Sequence, residues 1–212
     1  MVRHAARAMK QIGQRVYVVE DTSAEVFEAL REITRQQVLI GIPEANAPRE
    51  DSPINNATIG YLMEFGSPAA NIPARAWLVP GVEKVLPKCL KYIEAATQAG
   101  FDGDKGKMRQ YLNAAGIIGA EGAKNEMRTG NFVPLKPSTI AARHRQRQDA
   151  APRQSEKDYM KFYYQLKDGG ASPEQAATVA QEEVGIHPLL NTLELLYSVT
   201  YVVRDEDHEA YA

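Results

Sequence analysis

The chain is poor in the residues from which covalent and metal frameworks are built, with one cysteine, Cys89, and four histidines among 212 residues. A lone thiol excludes an intramolecular disulfide and any multi-cysteine zinc site. The histidines, at positions 4, 144, 187 and 208, never stand four apart, so no helix carries two of them as metal ligands on one face. No run approaches the ~18 apolar residues of a membrane span. The basic start, MVRHAARAMKQIGQRVYVV, lacks the apolar stretch and small-residue cleavage site of a signal peptide. The expectation is a protein made in the cytosol and not exported, with no membrane partner. An excess of one charge is also missing. The 25 Lys and Arg side chains face 27 Asp and Glu, so the chain as a whole has no reason to bind nucleic acid or an anionic surface.

Catalytic signatures are equally scarce. Gly100-Phe-Asp-Gly-Asp-Lys-Gly106-Lys107 resembles a phosphate loop, but its spacing is one residue too long. Met108 also stands where a magnesium-binding hydroxyl belongs. Asp102-Gly-Asp104 lacks the further acidic ligands of a calcium loop. There is no Gly-x-Ser-x-Gly elbow and no dinucleotide fingerprint. Cys89, in an apolar helical stretch, reads as a small core residue. These absences predict a non-enzyme without metal or cofactor.

What is present is a segregation of charge. Residues 1–127 are balanced, 128–167 carry nine basic and three acidic side chains, and 168–212 carry one basic and nine acidic. Such asymmetry points either to an oriented partner, another copy or something anionic, or to two solvated faces that pair with each other. Arg143, Arg145 and Arg147, followed by Arg153 and Lys157, form the one basic strip. It lacks interleaved aromatics, which suits phosphate contact better than base stacking.

Periodicity predicts strands near 16–20, 38–42 and 199–203 and helices over 24–36, 56–65, 82–98, 107–128, 138–147, 155–168, 173–184 and 188–198. Pro87 should kink the helix over 82–98 or reset its start. Ser172, Pro173 and Gln175 have the order of a capped helix start. Gly116, Gly119 and Gly122 would permit close helix–helix approach. Three strands from distant regions, meeting in one small mixed or antiparallel sheet packed by several helices, make an α+β domain.

The most specific signal is Ile59-Gly-Tyr-Leu-Met-Glu64-Phe65-Gly66, then Ile72-Pro73-Ala74-Arg75, then Trp77, Leu78 and Pro80 leading into a helix. Two later stretches accompany it: Pro134-Leu-Lys-Pro-Ser-Thr-Ile140 and Pro188-Leu-Leu-Asn-Thr-Leu-Glu-Leu-Leu-Tyr-Ser-Val-Thr-Tyr201. In this order they resemble tail-completion, or head–tail joining, proteins of long-tailed bacteriophages. With strand 38–42 and the helix after 82, the resemblance covers about half the chain. Phe132 stands where a Trp is usual. Leu193 replaces the usual Gly after Thr192, so a continuous helix is expected where the family has a turn. Residues 144–186 look like an insertion of about 40 residues, dividing a core of 1–143 and 187–212 from a helical insertion.

The resemblance implies a virion protein of the neck, a homo-oligomeric ring with a hexamer favoured. It would touch a tail terminator or tail tube protein on one side and a head connector or head-completion protein on the other. DNA would pass through its channel, facing or ignoring the strip of Arg143, Arg145, Arg147 and Arg153. The alternatives are a tube-capping terminator ring, or a non-specific nucleic-acid-binding protein. Glu64, Phe65, Gly66, Pro73, Arg75, Trp77 and Pro80 are the candidate interface. Gly and Pro stiffen the segment, and Arg and Trp are the residue types that dominate interface hot spots. Glu64 would pair with Arg75 of the same or a neighbouring copy. The competing expectation is that Trp77 and Phe65 cap the local core while Arg75 satisfies nearby carbonyls.

Overall fold

The computed structural model describes residues 10–13, 16–18, 23–48, 54–146, 153–191 and 193–205. Strands β1 (Lys10–Gly13) and β2 (Val16–Val18) form an antiparallel hairpin. Helix α1 (Ser23–Arg35) follows and runs directly into β3 (Gln36–Gly41). Next come α2 (Asn56–Phe65), α3 (Leu78–Phe101), α4 (Lys105–Thr129), α5 (Pro137–Gln146), α6 (Gln154–Asp168), α7 (Pro173–Val184) and α8 (Glu194–Ser198). Strand β4 (Thr200–Asp205) pairs antiparallel with β3, in register from Gln36 opposite Asp205 to Gly41 opposite Thr200. The fold is α+β, a small antiparallel sheet packed against several helices.

Among the described residues the three expected strands do not meet in one sheet; there are two separate two-stranded sheets. The strand near 16 finds its partner a few residues upstream, where closing a short loop costs little entropy.

Helices α3 and α4 form the central hairpin. Gly103, at φ +76°, makes the turn, and Asp104 caps α4 by accepting the Lys107 N–H at 2.9 Å. The glycines of α4 divide their work. A methyl on Gly122 would lie 2.6 Å from the Gly81 carbonyl oxygen, and one on Gly81 would lie 2.6 Å from Ala123 Cα. Those two residues therefore set the helix–helix approach. Gly116 and Gly119 instead seat the sheet, because a methyl there would overlap the Tyr201 ring and Ile40. Helix α3 neither starts after Pro80 nor resets at Pro87; it runs unbroken through both with Pro87 exposed. No helix among the described residues is long and apolar enough to cross a membrane.

Three cores result. Trp77, Ala123, Met127, Leu189, Leu195, Leu196 and Val199 make the first. Ala96, Ala99, Met108 and Leu112 make another, closed by Ile33, Val38 and Val203. The remaining core gathers Leu135, Ile140, Tyr159, Tyr163, Ala176, Ala177 and Ala180. Its composition moves the expected boundary. Ile140 of α5 is fully buried in it, so the helical unit spans Leu135 to Ile186 and a cut at 144 would divide α5. Ser172 and Gln175 form the reciprocal capping box at the start of α7.

The expected helix over 188–198 is a second correction. Among the described residues of that stretch only Glu194–Ser198 is helical, because Leu193 sits in the left-handed region at φ 67°, ψ −5° and turns the chain.

Candidate functional site

The loop between α2 and α3 is built around two buried ions that do not pair with each other. Glu64, in the last turn of α2, is 7% exposed and caps α3 from outside the helix. Its Oε2 accepts the N–H groups of Trp77 (2.7 Å) and Leu78 (2.8 Å), and its Oε1 accepts that of Val79 (3.1 Å). A carboxylate there satisfies donors that the first helical turn cannot, and it meets the positive end of the helix dipole. Arg75 is also buried. Its Nε donates to the Val133 carbonyl at 2.8 Å and its Nη2 to that of Pro134 at 3.3 Å, while its backbone N–H reaches Met63. Burial lowers the Arg75 pKa from its usual value.

Glu64, Arg75 and Trp77 are therefore corrected from interface residues to interior ones, and among the described residues Glu64 and Arg75 of the same chain do not pair. Trp77 is 2% exposed, and its indole donates to the Gly60 carbonyl at 3.2 Å. Gly66 takes φ +74° after α2, and a side chain there would press within 2.7 Å of the Ala74 nitrogen. Pro73 and Pro80 are half-buried. Of the expected interface set, Phe65 is the one large side chain turned outward, at 63% exposed, and it leans on exposed Tyr61 with ring centroids 4.8 Å apart.

Two concavities border this loop. A hollow of about 200 Å³ lies between α2, the end of β3 and the start of α3, lined by Tyr61, Phe65, Ile42 and Val79. A cleft of about 640 Å³ runs between Pro73, the Val133–Pro137 segment and the start of α7. That segment is held from both sides. Opposite Arg75, the Gln181 amide of α7 accepts the Leu135 N–H at 2.9 Å and donates to the Leu135 carbonyl at 2.8 Å. A glutamine in mid-helix carries no sequence signal for such a clamp.

The basic strip is not one surface. Arg143 is half-buried and its Nη2 donates to the Pro188 carbonyl at 3.1 Å, whereas Arg145 is exposed. Two residues apart on a helix, these side chains face different sides. Arg147 lies outside the described residues. Arg153 is exposed before α6 and joins Arg143, Glu156, His187 and Asn191 around a hollow of about 170 Å³. His144 Nδ1 approaches Glu156 Oε2 at 3.9 Å beside Tyr159, whose buried phenol is pushed up to about 12, first by desolvation and then by Tyr163. Among the described residues, no three His, Cys, Asp or Glu side chains converge on a metal position. Cys89 is buried, its thiol donating to the Ala115 carbonyl at 3.5 Å, and burial raises its pKa.

Leu86, Leu90 and Ile93 of α3 are exposed, because α4 covers only the side that carries Gly81, Cys89, Ala96 and Ala99. Likewise α1 is strongly two-faced, yet none of its residues is buried. Comparison of the chain with protein-family profiles, with curated proteins and with solved structures finds no match.

Proposed function

We propose that the chain is a non-enzymatic structural subunit of a long-tailed phage virion. It would form a ring, with a hexamer favoured, at the head–tail junction. Its work would be assembly: a closed ring around a channel, completing the tail and presenting a face to the head connector.

The observation that supports this reading is the convergence of the three separated stretches on which the resemblance rests. Arg75 of the first stretch bonds to the Pro134 carbonyl of the second, and Trp77 shares a core with Leu189, Leu195 and Leu196 of the third. A chance likeness of scattered motifs has no reason to assemble into one unit. Leu193 adds to it, since a left-handed residue occupies the position where the resembled proteins have glycine. The buried loop residues then act as a frame, and the outward side chains around them, Phe65 and Tyr61 first, do the docking.

The test is location. Cryo-electron microscopy of particles, with the chain tagged at an exposed loop, should place several copies at the neck. Purified virions that lack the chain would refute the proposal, and copies restricted to the tail tip would transfer it to another ring of the tail.

A further inference from the structure

We infer that the exposed apolar stripe of α3 is the seat of α1 from the next copy of this chain, a head-to-tail contact. The inference rests on the ring reading and names the surfaces that would close the ring. On α3, Val79, Leu86, Leu90 and Ile93 recur at spacings of seven, four and three, so they line one face of the helix. Each is exposed by between 38% and 52%. The stripe begins at the hollow lined by Tyr61, Phe65 and Val79. On α1, Val26, Phe27 and Leu30 form a second stripe, with Phe27 70% exposed. Within its own chain α1 is anchored at its other end, where Ile33 meets Gly100 and Glu32 pairs with Lys105 at 3.0 Å. Val26, Phe27 and Leu30, in its first two turns, stay exposed.

Charge selects the occupant. At 100° per residue, Glu83 and Glu94 flank the α3 stripe on the side away from α4. Arg31 flanks the α1 stripe on the Phe27 side. Antiparallel docking of α3 on a copy of itself would bring Glu83 against Glu94 of the other copy, a like-charge contact. Docking of α1 on α3 brings Arg31 toward the glutamate flank. Arg31 touches Glu28 at 3.1 Å on its own helix, an exposed pair that is readily exchanged. Opposite charge therefore favours two different patches meeting over one patch meeting itself, and only the former generates a ring.

Area sets the strength. Each stripe offers roughly 300 Å² of apolar surface, enough with the usual polar rim for an interface of about 1,000 Å² in total. That is the lower bound for a specific contact, so self-association should be concentration-dependent over roughly 1–100 µM.

The experiment is sedimentation of the full chain and two variants, Phe27→Asp and Leu90→Asp. Both positions are exposed, so melting temperatures should stay within a few degrees of the parent. Parent chain should assemble beyond dimers as concentration rises, and each variant alone should remain monomeric. Their equimolar mixture should stop at a one-to-one dimer, because one variant keeps an intact α1 face and the other an intact α3 face. A parent that stays monomeric throughout, assembly untouched by Phe27→Asp, or a mixture that never dimerises overturns the inference. Charge reversal is the second arm. Glu83→Arg with Glu94→Arg should abolish assembly, and adding Arg31→Glu in the same chain should restore it in part. Failure of restoration also overturns the contact. A chain found at the neck but assembled through another surface would refute this contact and spare the ring. Absence from the virion with the α1–α3 contact intact would do the reverse.

Discussion

Replacing Glu64 separates a buried frame from a docking surface, because the two roles predict opposite outcomes. In Glu64→Ala the Trp77 N–H is left without its partner in a buried place, at about 1–3 kcal/mol. The Leu78 and Val79 N–H groups are partly buried and regain some water, so their loss resembles that of an N-cap, about 0.5–2 kcal/mol together. The sum is ~1.5–5 kcal/mol. Glu64→Gln keeps the shape but turns one carboxylate oxygen into a donor facing a donor, and it removes the charge from the positive end of α3. Its cost should be ~2 kcal/mol. For a chain of this length those values lower the melting temperature by roughly 3–20 °C and 4–8 °C. Urea and thermal unfolding followed by circular dichroism measure the totals. The single tryptophan makes the reading local: Trp77, nearly inaccessible in the parent, should shift its emission to the red in Glu64→Ala. Were Glu64 a contact for a neighbouring subunit, stability and emission would be unchanged and assembly alone would fail. A Glu64→Ala chain within 1 kcal/mol of the parent, with unshifted emission, would refute the capping argument.

Leu193→Gly should be more stable than Leu193→Ala by about 1 kcal/mol, because φ 67° strains any residue with a Cβ. In a continuous helix the order would reverse, so the sign of the difference in chemical denaturation decides. Gly81→Ala should destabilise by about 1–3 kcal/mol despite better helix propensity, since its methyl meets the α4 backbone. Gly106→Ala, where the nearest atom is Asp104 Oδ1 at 3.4 Å, should stabilise slightly; equal effects would mean that α3 and α4 are not in backbone contact. Tyr159→Phe removes a buried hydroxyl without a hydrogen-bond partner and should be neutral or stabilising by ~1 kcal/mol. Because the folded pKa is raised from 10.0 to about 12, the parent should lose stability as pH rises through that interval. The unfolded chain gives up the proton first, and Tyr159→Phe should flatten this slope in denaturant titrations. A parent whose stability is level there would show that the phenol is not desolvated.

Helices with strong local signals were legible, and contacts between distant residues were not. The α2 and α7 boundaries follow from Gly66 and from the Ser172–Gln175 box, which act within four residues of themselves. The failure over 188–198 has the opposite origin. Leucine is a good helix former, and only tertiary packing explains why Leu193 adopts a turn conformation. Glycine spacing on α4 was visible, but a period of three cannot say which neighbour each glycine admits. The same limit applied at the site. Glu64, Arg75 and Trp77 stood out as a constellation, yet residue type suits an interface hot spot and a buried cap equally. The partner atoms, three backbone N–H groups and two carbonyls, have no signature in sequence. Periodicity likewise finds an apolar face on α1 and α3 without saying what covers it.

The pairing of Gln36 with Asp205 across 169 residues fixes the order in which the molecule can be completed during synthesis. The α3–α4 hairpin and the helical unit over 135–186 draw their partners from nearby sequence and can form as they leave the ribosome. Strand β3 must wait for β4, roughly ten to thirty seconds at ordinary elongation rates. Until then its edge is bare, and the groove over Gly116 that receives Tyr201 stands empty. A nascent chain in that state has a template for wrong strand pairing. It also gives the cell a check on quality, since a truncated product missing residues 200–205 cannot close the sheet that holds α1 in place.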